Sequence, residues 1–259
     1  MPGPSNDTPD RLTSRDGRSS GARRLAPLDD PLSYPGERAT GAFRLRDNEL
    51  RPLTEPIPAG RLPVLSIGSN ACPAQLTAKF HGRPCSGEVF GVLVSVARLQ
   101  IRPSAHLGRS GYWPFAPAAL DGTSSPAVLC FLDANQVAVL DATEPNYLRV
   151  PLDPGRHPVN DTPQIVGRLA AAHDTVWVYV SKHGVVDDPR LPAWTDPPPT
   201  QRSLLGALIP LLPLPRGVAT PESLSAALRT EAGLAGQLTS ALQERLMVRA
   251  SGLVPGQVY

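Results

Sequence analysis

The fold is organised around the stretch LPVLSIGSNACP, residues 62–73. Its apolar first half, up to Ile67, predicts a short buried strand. Residues 68–70 break the strand, and Pro73 suits the first turn of a helix because its missing N–H and fixed φ cost nothing there. Such a junction directs several backbone N–H groups to one point, so the sequence predicts an anion or oxyanion site at residues 68–70. A plain tight turn is the alternative interpretation, since Gly, Ser and Asn are common turn residues.

Composition argues against several classes of partner. The net charge of this 259-residue chain is only +2, so no overall field attracts nucleic acid or a membrane surface. No apolar run approaches the roughly 18 residues of a membrane span, and the N-terminal residues lack the apolar segment of a secretory signal. The three cysteines have no C-x-x-C spacing and fit reduced thiols. We therefore expect a cytoplasmic protein that binds neither nucleic acid nor membrane.

Arginine supplies nearly all of the positive charge, because Lys79 and Lys182 are the only lysines in the chain. Together with the frequent Ala, Pro and Gly, this favours a GC-rich coding sequence and a bacterial source. The five histidines are scattered without ligand spacing, so no metal site is predicted.

The distribution of proline and leucine divides the chain into four parts. Residues 1–60 are predicted to form a largely disordered or extended N-terminal arm, because their first half is rich in Pro, Ser, Gly, Asp and Arg. Residues 61–186 form a β-rich core domain, and residues 187–200 a proline-rich linker. Residues 201–259 have leucines at helical spacing, which predicts a helical C-terminal appendage.

Within the core, four further segments have the pattern of strands. Valines on both faces of residues 88–101 fit a strand that is buried on both sides. Residues 126–132 and 147–152 are also predicted strands, and residues 175–181 alternate most clearly. Residues 136–141 remain ambiguous, because their valines favour a strand whereas the preceding Asp favours a short helix.

A second motif, LDATEPNY, covers residues 140–147. An acidic side chain in a short connection is usually solvated. Pro145, however, restricts Glu144 to extended backbone angles and so fixes the direction of its side chain. Such a constraint suits a catalytic carboxylate better than a surface one.

The order of the two motifs resembles the gamma-glutamylcyclotransferase-like family, which includes the butirosin-biosynthesis type of cyclotransferase. That family has Tyr-Gly-Ser-Asn near the start of its domain and Leu-Asp-x-x-Glu followed by a tyrosine further along. The matching residues here are Ile67, Gly68, Ser69, Asn70, Leu140, Asp141, Glu144 and Tyr147, within roughly 62–182. Ile67 stands where the family has a tyrosine. The resemblance implies an α+β fold: a small mixed β-barrel with flanking helices, to which the C-terminal helical appendage is added.

The resemblance also implies an activity. The α-amine of a γ-glutamyl amide attacks its own γ-carbonyl, releasing 5-oxoproline and an amine, a reaction of the transferase or lyase class. Glu144 is then the general acid and base, and the N–H groups of Gly68, Ser69 and Asn70 stabilise the oxyanion. No metal or cofactor is implied. The partner that the resemblance implies is a small γ-glutamyl substrate, and it names no partner protein.

Three further residues are candidate substrate contacts: Ile67, Tyr147 and Tyr179. For Tyr179, which lies in the clearest strand, a packing role is the alternative. A non-catalytic module on the same fold, binding a small molecule or another protein, is the alternative function.

Overall fold

The computed structural model describes residues 25–161, 175–195 and 197–254, and within them the protein is a mixed α+β fold. The helices are α1 (Pro73–Phe80), α2 (Ala134–Thr143), α3 (Gln201–Leu208), α4 (Pro221–Thr230) and α5 (Leu234–Arg245). The first five strands are β1 (Phe43–Arg46), β2 (Glu49–Pro52), β3 (Leu62–Ser66), β4 (Val89–Pro103) and β5 (Phe115–Leu132). The others are β6 (Tyr147–Leu152), β7 (Val159–Asp161), β8 (Val176–Ser181), β9 (Val185–Val186) and β10 (Val248–Arg249).

Eight strands form one sheet, in the order β2-β1-β4-β5-β3-β8-β6, with β7 paired to β4. The predicted closed barrel is not found: in the described ranges the two ends of this order, β2 and β6, do not pair with each other. The edge strand β2 is mostly exposed and includes the charged residues Glu49 and Arg51. Charges on an edge oppose further strand pairing, which accounts for a sheet that stays open.

The predicted strand, loop and helix at residues 62–80 are confirmed. β3 lies inside the sheet, antiparallel to β5 and parallel to β8, with Val64 and Leu65 buried. A single 3-10 turn, Ser69–Ala71, follows, and α1 begins at Pro73 as the sequence predicts. The junction is therefore held in the middle of the sheet.

The ambiguous segment 136–141 belongs to α2. Its helical state is explained by a capping box in which Gln136 N donates to Asp133 Oδ1 at 2.8 Å and Asp133 N donates to Gln136 Oε1 at 2.9 Å. These bonds satisfy backbone donors at the helix start that a strand would have used in a ladder. The helix that results ends directly before Glu144.

Part of the predicted arm has regular structure. Residues 1–24 lie outside the described residues, but residues 25–60 contain a 3-10 turn (Pro31–Ser33) and the β1-β2 hairpin. Tyr34, Phe43 and Leu45 are buried. This differs from the expectation of a largely disordered or extended arm, because these widely spaced apolar residues find partners only in the folded protein.

The C-terminal helices pack on the sheet. Leu204, Leu224 and Leu238 belong to the same cluster of buried residues as Leu65 of β3. Gln201, fully buried at the start of α3, pairs with both backbone groups of Trp113 at 2.9 Å, which fixes the loop between β4 and β5. The division into a core domain, a linker and a separate helical region stays a prediction. Each helix in the described ranges is too short or too polar to cross a membrane.

Candidate functional site

Three polar side chains from separate elements meet at the centre of the site. Asn70 Nδ2 donates to Glu144 Oε1 at 3.0 Å, and Lys79 Nζ lies 2.5 Å from the same oxygen. Lys79 Nζ also donates to Asn70 Oδ1 at 2.8 Å, which closes a triangle. The side chains of Lys79 and Glu144 are 10% and 17% exposed, so the ion pair is shielded from solvent more than a surface pair is.

The end of α2 places the carboxylate of Glu144. Glu144 is the C-cap residue, with φ −117° and ψ 56°. Pro145 keeps it out of the helical region as expected, but this backbone is not fully extended, since Tyr147 N donates to Glu144 O at 3.0 Å and tightens the connection. The side chain consequently turns back towards the loop that follows β3, where it meets Asn70.

A cavity of about 50 Å³ lies beside the triangle. Its wall contains every residue that the sequence nominated: Ile67, Gly68, Ser69, Asn70, Glu144, Tyr147 and Tyr179. The remaining lining residues are Tyr34, Leu65, Ser66, Tyr112, Pro114 and Phe115. The fold thus brings the two sequence motifs together on one small cavity.

Two of the phenols in the cavity wall already donate their hydroxyl protons in hydrogen bonds within the protein. Tyr147 donates its hydroxyl proton to Phe115 O at 2.9 Å, and Tyr179 donates to Asp141 Oδ1 at 2.7 Å. Burial is the main cause that raises the pKa of both tyrosines above its ordinary value. In the described structure these two hydroxyls therefore act towards the cavity as neutral acceptors.

The loop after β3 is both a turn and part of the cavity wall. Ala71 N donates to Gly68 O at 3.0 Å, and Cys72 N donates to Ser69 O at 2.9 Å, as in an ordinary 3-10 turn. The backbone N–H of Ser69 faces the phenol oxygen of Tyr34, whose pKa it lowers against the larger effect of burial. We expected the backbone N–H groups of residues 68–70 to be free to bind a ligand. This expectation is corrected at Ser69, whose N–H faces the side chain of Tyr34.

Two residues that matter to the chemistry of the site, Tyr34 and Lys79, were not nominated from the sequence. Tyr34 belongs to the predicted arm, and no local pattern connects it to β3. Lys79 had a signal that was not used: it is one of only two lysines in an arginine-rich chain. The other, Lys182, donates to Pro145 O at 2.7 Å, so both lysines contact the Glu144–Pro145 connection.

Histidines form a separate group next to the site. His106 is buried, its Nδ1 lies 2.6 Å from Ser104 Oγ, and its ring centroid is 4.9 Å from that of His183. Burial and the neighbouring His183 lower the pKa of His106 to about 3. Nowhere in the described ranges do three or more His, Cys, Asp or Glu side chains form a group placed to hold a metal ion.

Comparison with known proteins does not identify a family for this chain. No protein-family model matches the chain, and no curated protein matches it. A solved structure described as "Gamma-glutamyl cyclotransferase" matches with 11% sequence identity and a TM-score of 0.29, over 77% of this chain and 94% of that chain. At that identity and TM-score the match carries no argument about fold or activity.

Proposed function

We propose that this protein is an enzyme that cleaves a γ-glutamyl amide by intramolecular attack of the α-amine, releasing 5-oxoproline and an amine. The observation that carries the proposal is the position of Glu144. Asn70 and Lys79 both hold its Oε1, and the side chain lies in the wall of the same cavity as the loop after β3. A carboxylate on open surface would have no such support.

The free oxygen of Glu144 is the proposed site of proton transfer. Oε2 makes no hydrogen bond with any described residue, whereas Oε1 has two donors. The attacking ammonium of the substrate must lose a proton, and the amine that leaves must gain one. Glu144 Oε2 takes the first proton and returns it to the leaving nitrogen, so that the carboxylate ends the cycle as it began.

Fixed geometry supplies the rest of the proposed rate enhancement. The nucleophile and the carbonyl belong to one molecule, so the site has only to hold the chain of the glutamyl group in a ring-like shape. The ammonium of Lys79 balances the charge of Glu144 and restrains its rotation. Neutral phenols around the cavity exclude water from the reacting atoms.

The size of the cavity limits how substrate enters. Pockets for drug-sized ligands measure about 300–1,000 Å³, whereas this one measures about 50 Å³, which holds about one or two water molecules. A γ-glutamyl group therefore requires the wall to move on binding.

The test is release of 5-oxoproline from a panel of γ-glutamyl amines that differ in the leaving amine. We expect turnover of at least one of them without added metal or cofactor. If the wild-type protein releases 5-oxoproline from none of them, the proposal fails and the alternative function is favoured.

That alternative is a non-catalytic module on the same fold, which binds a small molecule or another protein. Two observations favour it. Ile67 is buried in the apolar cluster and offers no side-chain hydroxyl, and the cavity is small as it stands. Binding of γ-glutamyl amines without turnover would support this second function.

A further inference from the structure

The hydroxyl of Tyr34 lies directly over the loop after β3. A Cβ atom added to Gly68 would fall 2.4 Å from this oxygen. The ring of Tyr34 stacks on Tyr112 with centroids 4.3 Å apart and meets Phe115 edge-on at 4.9 Å. Packing on two sides therefore fixes the hydroxyl at the cavity wall.

Tyr34 differs from Tyr147 and Tyr179 in the direction of its hydrogen bonds. Its oxygen accepts from Phe115 N at 2.9 Å, and the N–H of Ser69 also faces it. Its own proton has no acceptor among the described residues, whereas Tyr147 and Tyr179 have already donated theirs. A phenol can donate one hydrogen bond, so this proton remains for a molecule that enters the cavity.

The protonation state of Tyr34 suits a donor. Burial raises its pKa far above the ordinary value, and the charge of Glu144 acts in the same direction. The hydroxyl therefore keeps its proton throughout the physiological pH range. Because backbone N–H groups point at the oxygen, they polarise the O–H bond and strengthen it as a donor.

We propose that the Tyr34 hydroxyl contacts the substrate and is the oxyanion donor of this site, in place of the side-chain hydroxyl that Ile67 lacks. The inference rests on the proposed function, in which the γ-carbonyl oxygen becomes an oxyanion when the amine attacks. Tyr34 donates a hydrogen bond to that oxygen and transfers no proton. Such donors are effective because they are oriented before the charge develops.

The same inference gives a role to the segment around Tyr34, which precedes the central strand in the chain. Arg38 Nη2 donates to Ile67 O at 2.8 Å, and Leu28 N donates to Gln75 Oε1 at 3.1 Å. These bonds attach the segment on both sides of Tyr34 to the residue that follows β3 and to α1. The arm thus delivers to the site a side chain that the central motif does not contain.

The first arm of the test is kinetic and compares Tyr34→Phe with the wild type. We expect kcat to fall by about 10²–10³ while KM changes by less than about tenfold, because one oxyanion donor is lost. Replacement of Tyr34 by 3-fluorotyrosine keeps the hydroxyl and should retain kcat within about tenfold of the wild type. Unchanged kcat in Tyr34→Phe, or a loss confined to KM, overturns the inference.

The second arm does not depend on turnover and separates this inference from the proposed function. 5-Oxoproline labelled with ¹³C at its ring carbonyl is bound to each protein and observed by NMR. We expect a downfield displacement of the carbonyl signal in the wild type that Tyr34→Phe reduces. Equal displacement in both, or no binding to the wild type, overturns the role of Tyr34. If Tyr34→Phe does not fold, the carbonyl displacement in the 3-fluorotyrosine protein tests the inference instead. This displacement should exceed that of the wild type, because the fluorinated phenol is a more acidic donor.

Discussion

Lys79 and Glu144 are 65 positions apart in the chain, yet Nζ of the lysine lies 2.5 Å from Oε1 of the glutamate. The pair joins the helix that follows the central strand to the end of α2. Asn70 bonds to both partners, and its bond to Glu144 joins the two sequence motifs into one site.

The first prediction concerns this pair. Lys79→Met leaves the half-buried carboxylate of Glu144 without its cation, which should lower the free energy of unfolding by about 1–3 kcal/mol and reduce turnover. Lys182→Met is the matched control, because its exposed ammonium bonds only to a backbone carbonyl and exposed changes cost within about 0.5 kcal/mol. Urea unfolding measures both variants. Equal loss of stability in the two proteins would contradict a special role for Lys79.

The second prediction concerns the contact between Gly68 and Tyr34. Gly68→Ala places a methyl group 2.4 Å from the phenol oxygen, so Tyr34 must move. We expect a loss of about 1–3 kcal/mol in the free energy of unfolding, as for other overpacked sites, and a fall in kcat. Gly87→Ala is the control, since a Cβ there meets nothing within 4 Å. Thermal unfolding that leaves Gly68→Ala as stable as Gly87→Ala would show that the Tyr34 hydroxyl is not held where we describe it.

The third prediction concerns pH. The pKa of His106 is lowered to about 3 in the folded protein, against about 6.5 in the unfolded chain. The folded state therefore binds fewer protons, so this contribution to stability is complete above pH 6.5 and is lost as the pH falls towards 3. Ser104, His183 and Tyr147 are the groups that pack against the ring. His106→Gln should flatten the decline in unfolding free energy below pH 6.5, and an unchanged pH profile would be evidence against it.

The central part of the fold was predictable because its signals are local. The apolar run up to Ile67, the break at residues 68–70 and the position of Pro73 each act within a few residues, and β3 and α1 form where they indicate. The ambiguity at residues 136–141 had a local solution too, in the reciprocal bonds of Asp133 and Gln136.

The remainder depends on contacts distant in sequence. Whether a sheet closes into a barrel depends on its edge strands. The charged edge strand β2 lies in a segment that the sequence predicted to be an arm, so its effect on the sheet was not foreseen. Tyr34 comes to the site from a segment distant in sequence, which Arg38 and the aromatic residues around Tyr34 help to anchor. No short window of sequence contains that information. For Lys79 the amino-acid composition did offer a clue, because lysine is rare in this chain.

The central claim is that Glu144 moves the proton, and one comparison tests it most directly. Glu144→Gln and Glu49→Gln make the same chemical change, the first in the cavity wall and the second on the exposed edge strand β2. With the γ-glutamyl amine that the wild type turns over best, we predict that kcat for release of 5-oxoproline falls by about 10²–10⁴ in Glu144→Gln and is unchanged in Glu49→Gln. Equal kcat in the two variants would contradict the account.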